Sequence, residues 1–419
     1  MKNIVKYVTF LLMVIGIYNI IAFFVVDTGS LNRLKYNEFY NTKDLDIIAV
    51  GPSSTLNGFF PMVADKILGQ STFNMGTASQ EMAGTYYQVK EILRCQDVDT
   101  IILDVCFPIL LREVGGETAT QIMTDYMRGI NKITYIVDTM PKSKWLTMFS
   151  RVYREHDASK EHISNNLKAK SCMEYWQYKN QNEFYTNYNT YYGKGYSELK
   201  KDNLGFDYFM YHKDDGIFDS VDKEINEEMM QYLQKTVQLC KDNNVNIILV
   251  SYPFSRLHIK KSGDYNRMHQ FIQEFADSNK IPYYDLNMIE DAKWEDFYFA
   301  NADHCSIEGA KRATEYICKL LQGEKVEFCT NIEETYARDI IGILYDEELY
   351  DTGRMKLSWE IITDKNKELY YRILSDTCEY DSGYVYDNFV ILDAEIDDIV
   401  LEIYDYETNE YIGNAKKIG

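Results

Sequence analysis

The chain has no glycine-lysine loop of the Walker type and no G-x-G-x-x-G after a strand-like run. The backbone cradles that hold nucleotide phosphates are therefore missing, and no nucleotide cofactor is expected. Its eight cysteines include no C-x-x-C pair, which argues against structural zinc. Several stand in apolar runs: Cys106 follows Ile101-Ile102-Leu103 and Cys240 lies in a helix-like stretch, where an unpaired thiol packs as a small hydrophobe. Histidine is scarce. His156, His162, His212, His258 and His269 have no partner at metal-ligand spacing, so no metal is expected either. Positive charge is short as well: Asp and Glu outnumber Lys and Arg 65 to 44, a formal charge of −21 that repels phosphate and argues against nucleic acid or anionic lipid as a partner.

Tyrosine is abundant, with 36 residues that supply flat, amphipathic contact area suited to sugars or polymer chains, while many serve as core or strand residues. At 419 residues and 46% apolar the chain exceeds one ordinary core and points to two domains plus an appendage. The appendage comes first. Tyr7 to Val26 holds no charged residue and is long enough, as a helix, to cross a bilayer core of roughly 30 Å. Lys2 and Lys6 precede it and Asp27 follows, which leaves the short N-terminus in the cytoplasm and the bulk of the chain outside, although Arg33 and Lys35 weaken that bias. A cleaved signal peptide is the rival reading, yet Val25-Val26-Asp27-Thr28 lacks the small residues that a signal peptidase prefers. Residues 1–27 are thus expected to form a cytoplasmic stub and a single-pass anchor.

From residue 44 short apolar runs alternate with helix-length amphipathic segments: Asp46 to Val50, Pro61 to Leu68, Thr72 to Met75, Gln80 to Leu93 and Thr100 to Val105. The alternation resumes with Lys223 to Asn243, Ile247 to Val250, Asp264 to Ser278 and Tyr283 to Leu286. Apolar strands separated by helices predict a three-layer α/β/α domain over about residues 28–324, built on a parallel sheet that binds ligands at the carboxyl ends of its strands. Residues of about 107–222 interrupt it and predict a folded insertion or lid. Its tyrosine-rich stretch, Tyr175 to Tyr211, would either stack on sugar rings or pack the insertion's own small core. Beyond Leu321 period-two runs (Leu357 to Ile362, Leu369 to Leu374, Phe389 to Leu392, Ile399 to Tyr404, Tyr411-Ile412) predict a small antiparallel β-sandwich over residues 325–419.

Two segments carry the chemistry. Gly51-Pro52-Ser53-Ser54 directly follows the apolar run Ile47 to Val50, and Asn301-Ala302-Asp303-His304 directly precedes a helix-like run ending near Leu321. A serine on a tight turn after a buried strand, with a histidine on a late loop, supplies a nucleophile and its base. Each residue also has a plainer reading: the glycines make turns, Ser53 caps a helix, and His304 precedes one. Ser54 stays open as an alternative nucleophile, because spacing does not rank adjacent serines.

In their order, Ile47 to Pro61 (IIAVGPSSTLNGFFP), Phe73 to Gln80 (FNMGTASQ) and Asn301 to Ala310 (NADHCSIEGA) resemble the SGNH/GDSL hydrolases over about residues 44–322. Within that family the chain is similar to the membrane-anchored Gram-positive branch of the D-alanyl-transfer protein of teichoic-acid assembly and the O-acetyltransferases of extracellular polysaccharides. The resemblance implies Ser53 as nucleophile, Ser53 and Gly76 as oxyanion donors, His304 as base and Asn301 as its partner, with Asp303 as a neighbour. Two positions depart from the pattern. The partner three residues before the histidine is an amide where the family has Asp, and a carboxylate-to-amide change in a serine-protease triad lowers turnover by roughly 10⁴. The third-block asparagine is replaced by Asp104-Val105-Cys106, and loss of one oxyanion donor costs about 10² to 10³ in rate. The resemblance implies an exported O-acyl esterase or acyltransferase acting on cell-envelope glycan or polymer, alongside a membrane-bound O-acyltransferase. The alternative is a catalytically degenerate scaffold that binds glycan or such a membrane partner.

Overall fold

A computed structural model describes residues 2–26, 31–179, 189–199, 206–214, 224–336, 338–350, 353–363, 367–375, 380–393, 396 and 398–417. Much of the tyrosine-rich stretch, at residues 180–188 and 200–205, lies outside the described residues, as does Cys378. The chain opens with α1 (Lys2–Val25), whose apolar surface the protein leaves uncovered. α2 (Leu31–Asn41) leads into β1 (Ile47–Val50), α3 (Ser53–Gly58), α4 (Pro61–Leu68), β2 (Thr72–Asn74), α5 (Met82–Cys95) and β3 (Thr100–Asp104).

The insertion supplies α6 (Phe107–Leu110), α7 (Glu117–Tyr126), α8 (Ile130–Thr139), α9 (Trp145–Phe149), α10 (Arg151–Arg154), α11 (Lys160–Ser171) and α12 (Met173–Trp176). Three strands follow: β4 (Asn189–Gly193), β5 (Tyr196–Leu199) and β6 (Tyr208–His212). The alternation then resumes with α13 (Glu227–Asp242), β7 (Asn246–Ser251), α14 (Arg256–Lys261), α15 (Tyr265–Asn279), β8 (Tyr283–Asp285), β9 (Phe299–Asn301), β10 (His304–Cys305) and α16 (Ile307–Leu321). Seven strands complete the chain: β11 (Ile340–Leu349), β12 (Arg354–Thr363), β13 (Leu369–Ser375), β14 (Tyr380–Val385), β15 (Phe389–Asp393), β16 (Ile399–Asp405) and β17 (Tyr411–Lys417).

The first sheet is wholly parallel, in the order β2-β1-β3-β7-β8. Successive side chains on a strand point to opposite faces, so β1 divides its four apolar residues between two cores. Ile48 and Val50 pack with α5 and α13 residues such as Val89 and Leu233, while Ile47 and Ala49 pack with Ala64 of α4 and Ala313 and Ile317 of α16. Both faces are covered, which explains why these strands read as unbroken apolar runs.

The C-terminal expectation is corrected. Instead of a small antiparallel sandwich, residues 340–417 join one eight-stranded mixed sheet, ordered β14-β13-β16-β17-β6-β11-β12-β15. Its edge strands β14 and β15 contact each other, so the sheet is nearly closed. Its middle strand, β6, comes from the insertion and runs parallel to both β11 and β17. Asp381-Ser382-Gly383 lies inside β14. The described tyrosines of the aromatic stretch turn mostly inward: Tyr191, Tyr196, Tyr208 and Tyr211 are buried, and Tyr196 stacks on Phe60.

The C-terminal end of α1 is built into the insertion. His162, Asn166 and Lys170 recur every four residues and therefore share one face of α11. His162 Nε2 lies 2.9 Å from the Val25 carbonyl, Asn166 Nδ2 donates to Phe24 (3.2 Å), and Lys170 Nζ donates to Phe23 and, at 3.1 Å, to Val26. These are the last carbonyls of the helix, which have no acceptor role left within it.

The turn after β1 needs glycine at position 51. A Cβ there would stand 2.3 Å from Thr55 Oγ1 and 2.4 Å from Asp104 Cβ. Gly51→Ala is expected to destabilise the protein by about 1–3 kcal/mol, the usual cost of overpacking. A chemical-denaturation midpoint equal to that of the unmodified protein would contradict this close approach.

Candidate active site

Ser53 is the first residue of α3, one residue past the turn that ends β1, and is half-buried. Helix N-termini leave their first N–H groups without intrahelical acceptors, so the Ser53 N–H faces outward from the helix start. Among the described residues Ser53 Oγ makes no hydrogen bond, with His304 or otherwise. Its neighbour differs. Ser54 is buried and donates from Oγ to Asp104 Oδ2 at 2.5 Å, so its hydroxyl is committed to the interior.

Asp104 ends β3 and gathers the turn. Its Oδ2 also accepts Thr55 Oγ1 (3.0 Å), and its Oδ1 accepts the Cys106 N–H (2.9 Å). Burial pushes its carboxyl up to about 6, against the three donors that favour the anion. The position where the resemblance implied an asparagine thus holds a carboxylate that pins the Ser53 turn from beneath.

Gly76 departs from its expected role. Its N–H donates to Asn74 Oδ1 at 2.8 Å, so the amide proposed as an oxyanion donor is occupied within its own loop. Asn74 uses its other end as well, donating from Nδ2 to the Thr55 and Phe59 carbonyls (2.8 and 2.7 Å). The physical reason is steric: Gly76 lies directly under the α3 backbone, where an added Cβ would meet Leu56 N at 2.4 Å, and Asn74 is the group that links the two segments.

The late histidine is held by a hairpin. β9 and β10 pair antiparallel with Asn301 opposite His304, and Ala302-Asp303 closes the turn. His304 Nδ1 lies 2.9 Å from Asn301 Oδ1, with hydrogen-bond geometry, and 2.8 Å from Asp303 Oδ1, which sits beside the N–H line as an ionic neighbour. The Asn301 oxygen at Nδ1, with the Asp303 carboxylate beside it, places the proton there and leaves the lone pair on Nε2, the tautomer a general base needs. Burial pulls the His304 imidazole down, but the Asp303 carboxylate outweighs it and the net shift is upward. Burial pushes Asp303 up, and the facing His304 charge outweighs that too, holding the carboxyl down at about 2. β10 packs against α3, so the Ser53 helix and the His304 hairpin are neighbours on one rim.

Three further groups surround this rim, and none of them was assigned to the site from sequence. Lys35 of α2 is buried, donates to the Gly76 carbonyl at 2.6 Å, and is pulled down to about 7 by that burial. His258 of α14 stacks on Phe107, is pulled down to about 4 by burial, and feels the charges of Asp303 and His304. Arg112 donates to the Gln80 carbonyl at 3.2 Å and lowers the His304 pKa through its charge. None of the three stands in a short motif; each is brought in by an element distant in sequence. One cleft lined by Asp207, Arg256, Trp294 and Arg338 lies away from Ser53 and His304, between the mixed sheet and the loop after β8.

Among the described residues no cluster of His, Cys, Asp and Glu is arranged to hold a metal ion. The seven described cysteines are all free, with Cys106, Cys240, Cys305 and Cys318 buried.

No protein-family model matches the chain, and no curated protein matches it. Solved structures align over most of their own length. A protein described as an acylhydrolase, from Bacteroides fragilis, covers 71% of this chain and 98% of its own at 10% identity and a TM-score of 0.35. A protein described as lipolytic of the G-D-S-L family, from Desulfitobacterium hafniense, covers 65% and 98% at 11% identity and 0.31. A GDSL-like lipase from Bacteroides thetaiotaomicron covers 71% and 99% at 10% identity and 0.33. Likeness at this level does not extend to chemistry.

Proposed function

We propose that this chain is a membrane-anchored, extracytoplasmic O-acyl esterase or acyltransferase of the SGNH/GDSL type, with Ser53 as nucleophile and His304 as base. Its substrate would be a cell-envelope glycan or related polymer, handled alongside a membrane-bound O-acyltransferase as in the Gram-positive branch it resembles. The observation that supports this best is the His304 ring, fixed at Nδ1 by Asn301 and Asp303 with Nε2 left open, on the hairpin that packs against the helix Ser53 begins.

The chemistry balances with these parts. His304 Nε2 takes the Ser53 proton as Oγ forms a bond to the acyl carbonyl, and the carbonyl oxygen's negative charge is met by the Ser53 N–H. Collapse expels the alcohol, protonated by His304, and leaves an ester on Ser53. Water or a sugar hydroxyl, deprotonated by the same ring, then attacks that ester and restores the serine. Arg112 adds positive charge near the His304 ring. Apo sites often hold nucleophile and base outside hydrogen-bond distance, which is compatible with the unbonded Ser53 hydroxyl.

For the anchor, the capped end of α1 favours retention over cleavage: three side chains of α11 would lose these carbonyl partners if the helix were removed. Labelling by a fluorophosphonate probe tests the nucleophile. The unmodified chain and Ser54→Ala are expected to label, and Ser53→Ala to remain unlabelled. Label retained in Ser53→Ala and lost in Ser54→Ala would transfer the role to Ser54.

A second reading, a degenerate scaffold that binds glycan or a membrane partner, is favoured by the occupied Gly76 N–H and the amide at position 301. It expects no labelling of any variant, together with glycan binding that survives Ser53→Ala.

A further inference from the structure

The insertion descends beside α1. Tyr18 OH lies 3.2 Å from Ser150 Oγ, and α1 packs against both α10 and α11. Tyr18 precedes Val25 by seven residues, about 10 Å along a helix at 1.5 Å per residue. Helical side chains lean toward the N-terminus, so Tyr18 does not gain that height by reaching upward. If α1 spans the bilayer, as the proposed function holds, its 23 apolar-span residues match a hydrocarbon core of about 30 Å and Ser150 sits below the outer boundary of that core.

The surface around Ser150 suits such a depth. Leu146, Phe149, Tyr153, Leu167, Met173 and Trp176 are all exposed, on α9 through α12, while Met148 of α9 turns inward to pack with Ile136 of α8 and with Met140. The polar groups at that level are paired, Arg151 and Arg154 both reaching Asp125. Charge fits as well. Residues 145–176 hold five lysines and arginines against four acids, a near balance in a chain of net −21. The acidic surplus of the chain lies elsewhere, so this segment is not repelled by a headgroup layer as the whole-chain charge would suggest.

We propose that residues 145–176 form a platform seated in the outer leaflet of the bilayer that α1 spans, with the exposed apolar side chains among the acyl chains and Lys160 and Lys168 at the headgroups. α11 lies at the boundary, where its His162, Asn166 and Lys170 close the helix end. Trp176, at the same level, takes the place interfacial tryptophans favour. Two attachments, one spanning and one lying flat, hold the rim bearing Ser53 and His304 at a set height and orientation over the membrane. An acyl donor carried in or on the bilayer then meets the rim without a search in solution.

The full-length chain reconstituted in nanodiscs of phosphatidylcholine and phosphatidylglycerol tests this with its own tryptophans. Trp145 and Trp176 belong to the platform, whereas Trp294 and Trp359 are buried in cores away from it. Lipids brominated near the top of the acyl chain are expected to quench up to about half of the emission, since two of the four tryptophans are in reach. The W145F/W176F double variant is expected to lose that quenching. A chain that resists alkaline extraction from the membrane yet shows no quenching overturns the platform while leaving the anchor intact, as does quenching that persists in the double variant. Release of the chain by alkali overturns the anchor, and the platform with it.

Discussion

His304→Ala is expected to lower kcat/KM for a simple acetyl ester by roughly 10⁴-fold or more, the scale on which a serine-type site fails when its base is removed. The more discriminating variants are its two partners. Asn301 holds the Nδ1 proton in line at 2.9 Å, whereas Asp303 contributes charge from 2.8 Å, so orientation and electrostatics are divided between two side chains.

Asp303→Asn removes the charge and leaves the amide in place. The net upward shift of His304 arises because that carboxylate outweighs burial, so without it burial prevails and the imidazole titrates lower. A general base works when neutral. The acid limb of the kcat/KM profile should therefore lie above pH 6.5 in the unmodified protein and move to lower pH in Asp303→Asn. Turnover on the plateau should fall by less than the roughly 10⁴ seen when a change of partner also reverses the tautomer, because Asn301 still fixes it. Asn301→Asp, which places a carboxylate in line, is expected to raise both the limb and the plateau. A limb that stays put in Asp303→Asn would disconnect Asp303 from His304.

Asp104→Ala should produce the largest structural loss. The Cys106 N–H, Ser54 Oγ and Thr55 Oγ1 all lose their acceptor in a fully buried place, where an unpartnered donor costs about 1–3 kcal/mol. The hydroxyls can turn to other partners, whereas the backbone N–H cannot, so a net cost of about 3 kcal/mol is expected, seen as a lowered denaturation midpoint. Since α3 starts on the hydroxyl side of this contact, Ser53 should lose its aim and probe labelling should slow as well.

Asp104→Asn separates shape from charge. The carboxyl of Asp104 is raised to about 6 from an ordinary value of 3.8, so the folded state holds its proton more tightly than the unfolded chain. The associated stability is fully present below pH 3.8 and is lost as pH rises through about 6. The amide does not ionise. Relative to the unmodified protein, Asp104→Asn should gain stability between those limits, by on the order of a few kcal/mol, and hold the gain at higher pH. A difference between the two that is flat from pH 4 to 7 would mean that Asp104 is not buried as an anion.

What the sequence determined by itself was what local pattern can encode. The uncharged run of α1, the apolar runs of β1, β3 and β7, and the helices between them follow from periodicity, and strand polarity then puts the Ser53 turn and the His304 hairpin on one rim. The chain order of the motifs also marked Asn301 and Asp303 as the histidine's neighbours, three residues and one residue away. Only the tertiary structure decided how these parts are used. Ser54 faces Asp104 rather than solvent, and the Gly76 amide bonds Asn74, because the α3 backbone lies directly over that loop. β6 enters the C-terminal sheet because its partners β11 and β17 lie well over a hundred residues away, beyond any local signal. The closure of α1 by α11 has the same origin: orphan carbonyls at a helix end can be met by any polar face that packing delivers, and periodicity does not say which face arrives.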